Sequence, residues 1–445
     1  MSYGKHTYDG GRQKSRLPLI LILIVLALAA VAFSATALVR ALHDKDPLPD
    51  VGKKDDAAQE EQDPNAQPPE DTADAAAQRA KLMEEVEYLI RGYYYDEAIQ
   101  ALESCGELAN TETAARAQDV RQMKESLVKW DNSQYYHIFF HSLIVYPEMV
   151  FTDRETPMGG YNAGFSEKAE LEKILPQLYE RGYVLYDLNE CYEMADGRMQ
   201  RKEILLPAGK MPLILSVDDV AYAYGDGFAR RLFVDDAGAL LYEVPNPSGG
   251  VDIIADGDVM GVVDAFVAEH PDFSWNGHKG TIALTGFQGA FGYPSYDDPA
   301  YQTEIKKVAD ALRADGWSFA SHSYTHNSGV YGFWGTGCIP DKIYYDINKW
   351  VDRVSPWIGE TNLFLAPFGY RATGEALQHV LNAGFNIYCT VDDHVVNELY
   401  DNYALQSRIE IGGYSMTYYR DILNELFFDV DSVLDPDRPP VVYDE

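Results

Sequence analysis

A mostly parallel α/β sheet or barrel is the fold this sequence predicts, and three observations predict it. From about Tyr135 onward, short apolar runs alternate with stretches of helical periodicity. Several of those runs stop at polar clusters: Leu213 to Val217 at Asp218-Asp219, Gly316 to Ala320 at Ser321-His322, Asn386 to Val391 at Asp392-Asp393-His394. That polar clusters recur at the end of strand after strand is the pattern of the rim of such a sheet or barrel.

Taken in order, Tyr135 to Val145 reads as the first strand. His137 and His141 lie on it, and in a strand a four-residue spacing puts them about 13 Å apart. They are not a preformed chelate, and core or loop roles are expected. Ser166 to Gly182 reads as a helix with Ser166 as N-cap and Gly182 just past its end. Tyr183 to Asp187 is a strand, and Met211 to Asp218 the next. A hairpin follows, Arg231 to Val234 and Leu240 to Val244, then a loop, Pro245 to Gly250, and a helix, Gly257 to His270. Thr281 to Thr285 is a strand and Thr303 to Ala314 a helix. Asp341 to Ile358 is helical, with Ile343, Ile347, Trp350, Val351 and Val354 on one face. Asn362 to Leu365 is a strand ending at Ala366-Pro367-Phe368-Gly369. Thr373 to Gly384 is a helix, Asn386 to Val391 a strand, Arg408 to Ile411 the last strand, and Tyr418 to Phe428 a closing helix.

Ahead of this domain (135–445) the chain changes texture. Residues 17–39 are apolar apart from Pro18, Ser34 and Thr36, and Lys5, Arg12, Lys14 and Arg16 precede them. That length spans a bilayer, and the charges keep residues 1–16 in the cytoplasm. A single-pass cell-membrane protein with an extracellular domain is the expectation. A cleaved signal peptide, with Ala35-Thr36-Ala37 as its site, is the rival. Residues 43–71, rich in Asp, Glu, Gln, Pro and Ala, form an acidic linker without a core. Residues 72–131 are helical, the third helix running from about Thr113 to Trp130. The run from Ile90 to Leu102 resembles the turn and second helix of one tetratricopeptide repeat.

With 36 Lys and Arg against 70 Asp and Glu, the net charge is −34. A nucleic-acid partner is excluded, because it needs a basic footprint. The four cysteines, Cys105, Cys191, Cys338 and Cys389, show no metal-ribbon or CxxC spacing, so isolated thiols and one or two disulfides both stay open.

Chemistry concentrates at the strand ends. Adjacent carboxylates there can face different ways, one toward a metal and one toward a proton. His322 and His326 stand four apart on a turn, with imidazoles on one side. Two neutral imidazoles and one carboxylate make a divalent-metal site with open positions. Helix capping by Asp218-Asp219 and a non-haem iron oxygenase are the competing readings.

Two motifs carry a family resemblance. Ser216-Val-Asp-Asp-Val220 is similar to the TFDDG motif, and His322-Ser-Tyr-Thr-His326 to the HSxxH motif, of the polysaccharide deacetylases of NodB homology (carbohydrate esterase family 4). Phe140-His-Ser142 and the helix from Phe165 to Leu188 also fit. The resemblance implies an irregular (β/α) barrel. It implies a divalent metal, ordinarily zinc, on Asp219, His322 and His326, with Asp218 as general base. Pro367 and Gly369 of Leu365-Ala-Pro-Phe-Gly369, together with Asp392, fall on the substrate-binding motifs, and His394 is the candidate acid. The implied activity is removal of N-acetyl or O-acetyl groups from a cell-wall glycan. Three positions depart from the family: Leu365 stands where an arginine orients the base, Val220 replaces a glycine, and no histidine follows His394. A wall-binding or scaffolding protein that has lost turnover is therefore the second reading.

Overall fold

The computed structural model of the chain describes residues 73–133, 135–151, 160–221 and 224–441. The expected cytoplasmic tail, the anchor at 17–39 and the linker at 43–71 lie outside the described residues. No helix among the described residues is long and apolar enough to cross a membrane.

Three helices come first, α1 (Ala73–Arg91), α2 (Tyr95–Glu103) and α3 (Thr111–Glu125). Their buried stripe is Val86, Leu89, Ala98, Leu102, Ala117 and Val120. The Asn110 side chain accepts from the N–H groups of Glu112 and Thr113, satisfying two donors that the start of α3 leaves over. The helix is shorter than its periodicity suggested. Past Ser126 the chain extends, and Val128–Lys129 pairs antiparallel with Leu205–Leu206.

Eight parallel strands follow: β1 (Tyr136–His141), β2 (Tyr183–Leu185), β3 (Met211–Asp218), β4 (Gly280–Leu284), β5 (Trp317–Ser321), β6 (Leu363–Leu365), β7 (Ile387–Val391) and β8 (Ala404–Glu410). Seven close into a ring in the order β1-β3-β4-β5-β6-β7-β8, with β8 returning to β1. β2 pairs with the first residues of β3, below the point where β4 joins it. The helices α4 (Lys168–Glu180), α5 (Val259–Glu269), α6 (Pro299–Ala314), α7 (Pro340–Arg353), α8 (Gly374–Asn382), α9 (Gly413–Tyr418) and α10 (Arg420–Leu426) accompany the ring. This is a (β/α) barrel, the closed form of the sheet or barrel that the alternation predicted and the form that the resemblance implied.

The apolar residues divide into two layers by strand parity. Ile138, Leu213, Leu215, Val217, Ile282 and Phe364 pack outward against helix residues such as Leu171, Val263, Ile305, Leu312, Ile347 and Trp350. Ile214, Ala283, Ala320, Leu363, Leu365, Ile387, Cys389 and Ala404 belong to a separate cluster inside the ring. Alternate side chains point to opposite faces of a strand, so this split follows from the period of two.

Several boundaries move for local reasons. α4 starts at Lys168 with Glu167 as N-cap, and Ser166 instead donates its hydroxyl to the carbonyl of Ile411. α7 stops at Arg353, and Ser355–Ile358 forms a separate turn where Pro356 lacks an N–H. The excursion after β3 is a three-stranded meander, Arg231–Val234, Leu240–Pro245 and Val251–Ile254. Its third strand was hidden by exposed Val251 and Ile253. All four cysteines are unpaired thiols.

Glu167 gives the fold a pH dependence. Burial, then the nearby Glu170 carboxylate, pushes its carboxyl up to about 8, with Arg438 opposing. The folded state thus holds a proton that the unfolded chain releases near its ordinary 4.5. Its stabilising contribution is complete at acid pH and is lost as pH rises through about 8. Denaturant titrations from pH 5 to 9 should show the midpoint falling, and Glu167→Gln should flatten that fall. An identical slope in the variant would rule the linkage out.

Candidate active site

The C-terminal ends of the strands carry the site. Asp218 ends β3, His322 follows the last residue of β5, and Pro367 follows β6 by one residue. His141 ends β1 directly across from Asp218, and Arg408 and Glu410 close β8. In a parallel barrel this rim is where loops of free geometry meet rigid strand ends.

The two carboxylates face different environments, as expected of a strand end. Asp218 Oδ1 accepts from Arg408 Nη1 at 2.7 Å, while Oδ2 lies 3.7 Å from His322 Nε2. Burial raises this carboxyl, but Arg408, then His322, outweigh it and hold it well below the usual carboxylate range. Asp219 turns away because its backbone is left-handed, with φ at +56°. Its Oδ2 lies 3.7 Å from His326 Nε2, and its buried Oδ1 has no hydrogen-bond partner among the described residues. Burial raises the Asp219 carboxyl; the imidazoles of His322 and His141 pull the other way.

His322 donates Nδ1–H to the Leu365 carbonyl at 2.6 Å, which fixes the tautomer and leaves Nε2 as the lone-pair nitrogen. Burial lowers its pKa, and lowers that of His326 to about 4, so both rings are neutral. Metal ligation requires neutral imidazole. Ligand atoms of Asp219, His322 and His326 all lie within 4.8 Å of one another. A buried carboxylate oxygen without a partner, beside two neutral imidazoles, fits a divalent cation.

Left-handed backbone at non-glycine residues is strained, and it gathers here. Of nine such residues among those described, Asp219, Ala221, Ser323, His326 and Phe368 belong to the three loops that form the site. Phe368, 59% exposed, sets its ring 4.6 Å from that of His326. Pro367 is buried behind it. A Cβ on Gly369, whose φ is +63°, would come within 2.7 Å of Val391, so the loop closes there only with glycine.

His394 and Asp392 sit apart from this cluster. The His394 ring is 68% exposed and is held by Asp392 and Asp393 at 2.7 and 2.8 Å. Among the described residues nothing joins it to Asp218 or Asp219. After His322, the further imidazole that bears on Asp218 and Asp219, and also on His326, is His141. Its Nδ1 donates to the Gly164 carbonyl at 2.8 Å and lies 3.5 Å from Glu410 Oε1.

The sequence reading gave no site role to Arg408 or Glu410 and expected only a core or loop role for His141. The guanidinium that the family resemblance places at position 365 comes instead from β8, through a fully buried arginine. A signal existed. In Ala404-Leu-Gln-Ser-Arg-Ile-Glu410 the polar residues Gln406, Arg408 and Glu410 recur every second position, which marks one polar face turned to the barrel axis.

No protein-family model matches the chain. No curated protein sequence matches it either. Among solved structures it is similar to a Streptococcus pyogenes deacetylase, PplD, in complex with acetate, at 13% identity and TM-score 0.38, over 70% of this chain and 100% of that one. It is also similar to a de-N-acetylase from Aggregatibacter actinomycetemcomitans, at 12% identity and TM-score 0.38, over 63% of this chain and 95% of that one. A third is IcaB from Ammonifex degensii, at 13% identity and TM-score 0.37, over 63% of this chain and 93% of that one.

Proposed function

We propose that the chain is a metal-dependent hydrolase that removes acetyl groups from an extracellular glycan. The observation that carries this reading is the division of labour between Asp218 and Asp219. One carboxylate is bound to a guanidinium and the other faces two neutral imidazoles. Asp219, His322 and His326 would hold the cation, zinc being the ordinary choice for such a donor set. When bound, it supplies Lewis-acid polarisation of an acyl carbonyl and a more acidic water.

The chain's own groups supply the rest. Asp218 is ionised at neutral pH, the state a proton acceptor needs, and Oδ2 is the oxygen left for that proton. Arg408 occupies Oδ1 and so fixes which oxygen faces the reaction. His141, with Nδ1–H committed to Gly164, has Nε2 to deliver a proton to the leaving group. Glu410 stands beside the ring. A small recess lined by Asp219, Ala221, Leu284, Thr285 and Ala290 adjoins the carboxylate pair.

The scaffold reading rested on the missing arginine and the missing late histidine. Arg408 and His141 now stand beside the carboxylate pair, which favours turnover. Export and tethering through residues 17–39 belong to the same proposal and follow from the apolar run and its basic flank, while the cell-wall substrate rests on the family resemblance.

Metal analysis of the purified protein, paired with acetate release from N-acetylglucosamine oligomers and acetylated esters, tests it. One cation per chain and metal-dependent release are expected; bound metal without release from any substrate would return the scaffold reading. The two bond types separate the role of His141. An amide nitrogen leaves badly unless protonated, whereas an alkoxide leaves more easily. His141→Gln should slow amide cleavage by about 10²–10⁴-fold and ester cleavage far less. Equal losses on both would remove His141 as the acid.

A further inference from the structure

Helix α7 carries a charge on its apolar face. Ile343, Ile347 and Trp350 pack into the core, and Asp346 stands among them at helical spacing, fully buried. A buried carboxylate costs stability unless its oxygens are met, so an apolar residue would serve packing better there. The oxygens are met, by the loop that follows β5. Oδ1 accepts from the Thr325 N–H at 2.9 Å. Oδ2 accepts from the Tyr324 N–H at 2.9 Å and from the Trp334 indole N–H at 3.0 Å. Donors that converge on both oxygens need an acceptor-only group. An asparagine would turn its NH2 against the donors on one side.

The loop held in this way runs between the two imidazoles. His322 is set by the end of β5 and by the Leu365 carbonyl. His326 lies beyond left-handed backbone at Ser323, with φ at +66°, and is itself left-handed, with φ at +47°. Such backbone persists only where its surroundings over-determine it. The His326 N–H donates to Ser323 Oγ at 3.1 Å, and the Tyr324 carbonyl accepts from the N–H groups of Gly286 and Phe287. Asp346 supplies the restraint on the N–H side, at the two residues immediately before His326. Through Trp334, whose N–H donates to the Asn327 carbonyl, the same carboxylate also ties down the return of the loop.

We propose that Asp346 is a positioning residue for the metal centre. Through the backbone of Tyr324 and Thr325 it holds the His326 imidazole where that ring, His322 and Asp219 can share one cation. Asp346 is outside the ligand group and acts only through the loop. The inference rests on the reading of Asp219, His322 and His326 as metal ligands made above.

The full chain, stripped of metal, is titrated with Zn²⁺ against a competing chelator, and with Co²⁺ for its visible absorption bands. Asp346→Asn keeps one acceptor oxygen and leaves donors facing an NH2 group. Its Zn²⁺ affinity should fall about 10–100-fold, the usual cost of losing a group that orients a ligand, and its Co²⁺ bands should shift. Trp334→Phe removes the indole donor but keeps both backbone bonds. It should bind Zn²⁺ as the wild type does, whatever it costs in denaturant midpoint. Wild-type affinity and bands in Asp346→Asn overturn the proposal. An equal loss in Trp334→Phe overturns it too, because general loosening would then explain both. Should Asp346→Asn fail to fold, hydrogen exchange in the metal-free wild type decides. The Tyr324 and Thr325 amides should exchange as slowly as those of β5; fast exchange that slows only on adding Zn²⁺ would mean that the loop is not preset. A wild type that takes up no cation ends the metal reading itself, whereas a wild type that binds beside an unchanged Asp346→Asn ends only the role of Asp346.

Discussion

Asp218→Asn is expected to cut acetate release by about 10²–10⁴-fold while the bound-metal content stays at the wild-type level. The amide keeps an oxygen for Arg408 to bind, so the guanidinium retains a partner in the buried site. What it lacks is a second carboxylate oxygen able to accept a proton. Asp219→Asn should behave in the opposite order. It removes the charge of the carboxylate facing His322 and His326, so metal content should fall first and release with it. The pair separates the two roles that one Asp-Asp dipeptide carries. Metal content by elemental analysis, and acetate release at saturating substrate, are the two readings. Undiminished release from Asp218→Asn would sink the assignment of Asp218 as base. Loss of metal from both variants would mean that the two carboxylates act as one ligand set.

The barrel was legible because period and punctuation agree. Leu213 to Val217 is apolar at every position but Ser216, and such a run marks a strand covered on both sides. The convergence of Asp219, His322 and His326, the residues expected to hold a metal, was legible for a related reason: each lies within a few residues of a strand end. What failed was inference across strands. His141 was read chiefly against His137, its neighbour along the chain, whereas its surroundings are Asp218 opposite and Glu410 near it on β8. Which strands are neighbours depends on ring closure, and no local pattern states that β8 returns to β1. Arg408 was hidden in the same way. Its parity with Gln406 and Glu410 announces a polar inward face, but nothing near it in the chain says that Asp218 lies across the axis.

A second large effect is expected far along the chain, at Arg438. Arg438→Met should destabilise the fold by about 3–5 kcal/mol, the usual cost of stranding a buried charge. Its guanidinium grips Glu170 through two bonds, Nε to Oε1 at 3.0 Å and Nη2 to Oε2 at 2.6 Å, with both side chains almost wholly buried. Glu170 is committed elsewhere too, accepting from the N–H groups of Glu167 and Asp435, so it cannot swing out to water. A buried pair need not be more stable than apolar residues of the same size. Arg438→Met with Glu170→Gln should therefore recover much of the loss, since a neutral amide keeps an acceptor oxygen and strands no charge. Denaturant midpoints of the two variants check this, and equal losses would deny the charge argument. The consequence extends to the rim. Arg438 Nη1 also donates to the Asn162 carbonyl, two residues before the Gly164 carbonyl that holds His141. Releasing Arg438 loosens the short helix Tyr161–Gly164 and with it the orientation of the imidazole. Acetate release from an amide should then fall more than release from an ester, as for His141→Gln but less deeply. The segment carrying Arg438 would thus hold both the entrance of α4 and the His141 imidazole through one guanidinium.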